Sequence, residues 1–106
     1  FQKAAALMMT GDKVSADEAV SLNMIYKAVE DEIFETEVYA LAEKLAQMPT
    51  KGLGLTKRAL NASLTNNLTQ QLAVEGELQT IAGQTYDFNE GVNAFLEKRA
   101  PVFKGE

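Results

Sequence analysis

"DFNEGVNAFLEKRAPVFKGE", residues 87–106, combines a helix signal with a concentration of charge. Phe88, Val92, Phe95 and Leu96 recur at i, i+4, i+7 and i+8, a spacing that lines apolar side chains along one side of an α-helix. Pro101 has no backbone N–H and clashes with the preceding turn, so the helix stops before it. Around that stop gather Lys98, Arg99 and Lys104, beside Phe95 and Phe103. Cations near a helix C-terminus meet the negative pole of the dipole, which explains part of the cluster. Two phenylalanines in the same stretch point to docking onto another surface as well.

The same helical period runs back through the chain. "FQKAAALMMTG" is Ala-rich and closes on Gly11, as a helix with a left-handed stop does. Ser15 and Glu18 have capping-box spacing, which predicts a short helix over about 16–22. "IYKAVE" is a brief β-favouring run and predicts an extended segment near 25–29. Phe34, Val38, Leu41, Leu45 and Met48 then share one helical face, ended by Pro49. Thr50 is placed to cap the next helix, with Leu53, Leu60 and Leu64 apolar and "TNN" as the break. A further helix, "LTQQLAVEGELQTIAG", buries some combination of Leu68, Leu72, Leu78 and Ile81. The expectation is a mainly α chain, a bundle of about five short helices. Every connection is short, so residues 1–106 read as a single helical domain or fragment.

Composition excludes much chemistry. The 106 residues are 46% hydrophobic and 24% charged, as in an ordinary folded domain rather than a disordered chain. There is no cysteine and no histidine, which removes thiolate nucleophiles, sulfur metal sites and the commonest general base. Ten basic against fifteen acidic residues leave a net charge of −5, which argues against nucleic acid as a partner. No apolar run approaches the roughly 20 residues that span a bilayer, and no export signal opens the chain. No membrane partner and a cytoplasmic location are therefore expected, and the sequon-like "NAS" and "NLT" carry no weight. Without an initiator Met and with apolar residues from Phe1 onward, the chain reads as a piece of something longer.

Few clusters qualify as chemical sites. "GLG" at 52–54 is too short for a dinucleotide fingerprint and reads as a flexible helix start. Glu30, Asp31, Glu32, Glu35 and Glu37 could pair as carboxylates or hold a hard cation. They surround a helix start, where the dipole favours negative charge, so a solvated first turn is the better reading. Glu75 and Glu77 point to different faces, Lys57 and Arg58 read as a solvent-facing pair, and the four methionines as core filler. No metal site is expected.

Three blocks, "ALMMTGDKVSADEAVSLNMIYKAVEDE", "PTKGLGLTKRALNAS" and "EGVNAFLEKRAPVFKGE", resemble in that order the C-terminal part of the enoyl-CoA hydratase/isomerase (crotonase) family. The last is the most specific; in the first, Leu22 and Asn23 stand where Gly and Leu are usual. The stretch from Pro49 to Val92 looks closest to the branch of ring-epoxide isomerases acting on epoxidised phenylacetyl-CoA. The resemblance implies the helical trimerisation region of the crotonase fold, without the N-terminal ββα-spiral core that carries the thioester pocket, oxyanion hole and catalytic carboxylates. It thus implies no catalytic residue in this chain and no tightly bound cofactor, a coenzyme A thioester being the substrate of the parent protein. It implies as partners the missing N-terminal core, acyl-CoA and further copies of the parent, as a trimer or dimer of trimers.

In the family the closing helix approaches the CoA nucleotide, and the Lys of "EKR" can reach its phosphates. Lys98 holds that motif position, with Arg99 and Lys104 as neighbours by charge. Where some members place an aromatic near the adenine, Gln79 stands here. The resulting expectation is a packing and oligomerisation fragment, not itself catalytic, that self-associates through uncovered apolar faces. The alternative is an independent helical protein-interaction module.

Overall fold

A computed structural model describes residues 1–106, and regular structure in it is entirely helical. The elements are α1 (Gln2–Thr10), α2 (Ala16–Ser21), a 3-10 turn (Asp31–Ile33), α3 (Phe34–Ala46), α4 (Thr50–Ser63), α5 (Leu68–Gly83) and α6 (Tyr86–Glu97). No helix is long and apolar enough to cross a membrane. The chain divides into two compact units, Phe1–Val38 and Tyr39–Glu106.

In the first unit, Gly11 ends α1 in the left-handed region at φ 68°, its N–H donating to the Leu7 carbonyl. Ser15 caps α2 by accepting the Glu18 N–H at 3.2 Å. Both terminators work as their side chains dictate. The β-favouring run at 25–29 forms no strand, since no second extended segment is present to pair with it. It continues to Glu30, which leads into the 3-10 turn and α3. Lys27 and Glu37 form an ion pair at 2.5 Å, both half-exposed. No residue of this unit is buried.

The second unit holds what core there is. α4 and α5 form an antiparallel hairpin, joined by residues 64–67. Gly52, Leu55, Thr56 and Ala59 of α4 face Glu75, Leu78, Gln79 and Ala82 of α5 across a narrow cleft of about 180 Å³. Leu78 is 5% exposed and is the largest apolar residue withdrawn from water. Gln71 ties the hairpin by donating to the Ala59 carbonyl at 3.1 Å. The turn is set by a full capping box: Asn67 accepts the Gln70 N–H and Gln70 accepts the Asn67 N–H, each at 3.0 Å. That box falls where the sequence showed only a break. Thr50 does not cap α4, because the helix starts one residue earlier than a Thr50 cap requires: Pro49 is the N-cap and its carbonyl accepts the Leu53 N–H.

A two-residue corner at Gln84–Thr85 turns the chain into α6. Buried Thr85 both donates to the Ala82 carbonyl (2.7 Å) and accepts the Phe88 N–H (3.1 Å), locking the two helix ends together. On α6 the predicted apolar stripe is open to water: Phe88, Val92, Phe95 and Leu96 range from 44% to 82% exposed. The buried side instead carries Asp87, Glu90 and Ala94, at i, i+3 and i+7. The six helices bear out the mainly helical expectation, and the buried face of the last is its polar one.

Candidate functional site

Burying a carboxylate costs several kcal/mol unless it is paired and hydrogen-bonded, so two of them on one helix face demand partners. The segment after α6 supplies all of them. α6 ends in a Schellman turn: Lys98 takes φ 56° in the left-handed region, the Lys98 N–H donates to the Phe95 carbonyl, and the Arg99 N–H to the Ala94 carbonyl at 3.0 Å. Glycine is the usual occupant of that position, and lysine there carries a modest strain. The turn sends the chain back along the helix it has just left.

Arg99 then grips Glu90 as a fork, Nη1 to Oε1 at 2.5 Å and Nη2 to Oε2 at 2.9 Å, while its Nε donates to Glu97 Oε2 at 2.6 Å. Glu90 Oε1 also accepts the Val102 N–H at 2.8 Å. The Arg99 fork, and after it the Val102 N–H, hold the Glu90 carboxyl well below the usual carboxylate range, at about 2, against the opposing effect of desolvation. The same carboxylates raise the Arg99 guanidinium above its ordinary value. One helical turn earlier, Asp87 accepts the Lys104 N–H on Oδ1 (2.7 Å) and the Gly105 N–H on Oδ2 (2.8 Å). The Asp87 N–H in turn donates to the Glu106 carbonyl.

The three basic residues singled out by sequence therefore have different settings. Lys98 is exposed and joins none of the ion pairs. Arg99 is engaged by Glu90 and Glu97. Lys104 sits with Nζ 4.2 Å from the centre of the Tyr86 ring, a cation–π contact on the opposite end of α6 from Lys98. Neither Asp87 nor Glu90 stood out in the sequence, although two acids at i, i+3 opposite an apolar stripe, followed by a basic segment, are the available signal. Phe103 helps to line an open apolar groove of about 470 Å³ with Pro49, Phe88, Gly91, Val92 and Phe95. Glu75 and Glu77 are exposed and form no pair, Glu75 accepting instead from Gln71.

The family model described as enoyl-CoA hydratase/isomerase matches residues 1–106. The chain belongs to the enoyl-CoA hydratase/isomerase family. Among curated relatives, the 1,2-epoxyphenylacetyl-CoA isomerase of Escherichia coli (strain K12) is 43% identical over 104 residues, 98% of this chain and 40% of the relative. A protein of Rhodobacter capsulatus named "Probable enoyl-CoA hydratase" is likewise 43% identical, over 97% of this chain and 40% of its own length. A crystal structure of an enoyl-CoA hydratase subunit from Geobacillus kaustophilus HTA426 superposes with a TM-score of 0.95 at 32% identity, covering 100% of this chain and 41% of the other. The all-helical architecture is thus one found within enoyl-CoA hydratase/isomerase structures. The chain spans about 40% of the length of the curated relatives it matches.

Proposed function

We propose that the chain is the C-terminal helical packing part of an acyl-CoA isomerase or enoyl-CoA hydratase, and that in the parent it closes the catalytic core and joins neighbouring subunits. The observation that carries this reading is the open stripe of Phe88, Val92, Phe95 and Leu96 on α6, together with Phe34, Val38, Leu41 and Leu45 on α3. Apolar faces left open on single helices in this way are what a packing element presents before it meets its partners.

In the parent, chemistry at the thioester belongs to residues outside this chain, with two backbone N–H donors stabilising an enolate and carboxylates moving protons. The contribution of this chain to the substrate is electrostatic. Lys98, exposed and outside the ion pairs, is the leading contact for CoA phosphates; Lys104 is held over Tyr86 at the other end of α6, and Arg99 would first have to release Glu90. The identity with a ring-epoxide isomerase supports a phenylacetate-type substrate, and a cytoplasmic location goes with acyl-CoA chemistry.

Sedimentation equilibrium of the chain over a wide concentration range, with and without CoA, tests the reading. Concentration-dependent association without CoA is the expected result. A monomer that stays monodisperse at high concentration would refute the packing role. A CoA-induced shift that Lys98→Ala abolishes supports the phosphate contact, and binding unaffected by that change excludes it.

A further inference from the structure

Residues 99–106 belong to no helix or strand, yet four of their backbone N–H groups, those of Arg99, Val102, Lys104 and Gly105, find acceptors on α6. Val102 N–H goes to Glu90, and the Lys104 and Gly105 N–H groups go to Asp87. Pro101 has no donor to satisfy, and Glu106 returns its carbonyl to the Asp87 N–H. Two carboxylates one helical turn apart thus do for this segment what a neighbouring strand does for a β-strand. Between the two attachment points the Phe103 ring lies against Gly91, where an added Cβ would be 3.6 Å from it, and forms one wall of the groove.

We propose that residues 99–106 form a strap that opens and closes as one unit on α6, with Asp87 and Glu90 as its two-point clasp. The geometry makes the attachments interdependent. Arg99 and Val102 converge on one carboxylate and Lys104 and Gly105 on the other, with half-buried Phe103 between them in sequence. Releasing either carboxylate frees the ring, and a freed ring removes the register the other carboxylate needs. α4 and α5 share none of these hydrogen bonds, so the strap opens below the global unfolding of the helices.

Amide hydrogen exchange tests the proposal on the full chain, with Asp87→Asn, Glu90→Gln and, as control, Glu97→Gln, which alters an Arg99 partner that accepts from no strap amide. Either clasp variant is expected to accelerate exchange of Val102, Lys104 and Gly105 together by about tenfold or more, with the Leu78 amide in α5 unchanged. The control is expected to stay within about twofold. Acceleration confined to the amides of the altered carboxylate would show two independent contacts and overturn the strap. Equal acceleration in α5, or none in the strap, would overturn it too. The unaltered chain supplies a check that needs no variant. In low guanidinium the three strap amides should share one opening free energy, smaller than that of Leu78, and separate values would refute the single unit.

Discussion

Gly105 is the position where a single added methyl group should be most informative. At φ 79° it lies in the region that L side chains rarely adopt, and a Cβ built there would fall 2.5 Å from Thr50 Oγ1. Gly105→Ala therefore carries two separable penalties. Placing an L-residue in left-handed backbone costs about 1–2 kcal/mol. Moving the Thr50 side chain off its rotamer adds about 0.5–1.5 kcal/mol. At 1.4 kcal/mol per tenfold, the sum of both corresponds to about 10- to 300-fold faster exchange of the Lys104 amide. In a Thr50→Ala background the overlap disappears, because the next neighbour is Thr50 Cβ at 3.9 Å. Only the backbone term then remains, about 5- to 30-fold. The four variants form a double-mutant cycle read by amide exchange and thermal midpoint. Equal acceleration in the two backgrounds would refute the contact between the strap and the start of α4. Less than about threefold in the first would refute the left-handed assignment as well.

Leu78→Ala should cost about 2–5 kcal/mol in chemical denaturation, because Leu78 is the largest buried apolar side chain and the cleft beside it cannot collapse fully. Gly91→Ala should instead stabilise by about 0.5–1 kcal/mol. Its Cβ meets Phe103 at an ordinary 3.6 Å, and a loss of thermal midpoint would contradict that packing. Acid should act through Glu90, which faces Arg99 with Glu97 and Lys104 nearby. Its folded value of about 2 lies below the ordinary 4.5, so its contribution is complete above pH 4.5 and is lost as pH falls through 2. Tail resonances followed by NMR should move in that window, and Glu90→Gln should abolish the movement.

Local signals were legible wherever one residue type has one dominant conformational use. Gly11 stops α1, Ser15 starts α2, and Phe34 to Leu45 mark the face of α3. The run at 25–29 is non-helical as its composition suggested, and it forms no strand because β propensity becomes a sheet only against a paired strand. The Asn67–Gln70 box was written in the residues but lay inside what read as a break. The basic cluster was visible as charge, yet nothing in the order of residues separated exposed Lys98 from Arg99, which is held by two acids.

The sequence by itself determined the helical period, the stops and the family membership, because these rest on spacing and residue chemistry within a few positions. Only the tertiary structure decided which face of α6 is buried. Periodicity marked Phe88, Val92 and Phe95 as one apolar face without saying what covers it, whereas the chain folds its own segment onto the opposite face, at Asp87 and Glu90. A carboxylate can be buried when N–H donors from 9 to 18 residues away converge on it, and that convergence exists only after the Schellman turn at Lys98 has reversed the chain.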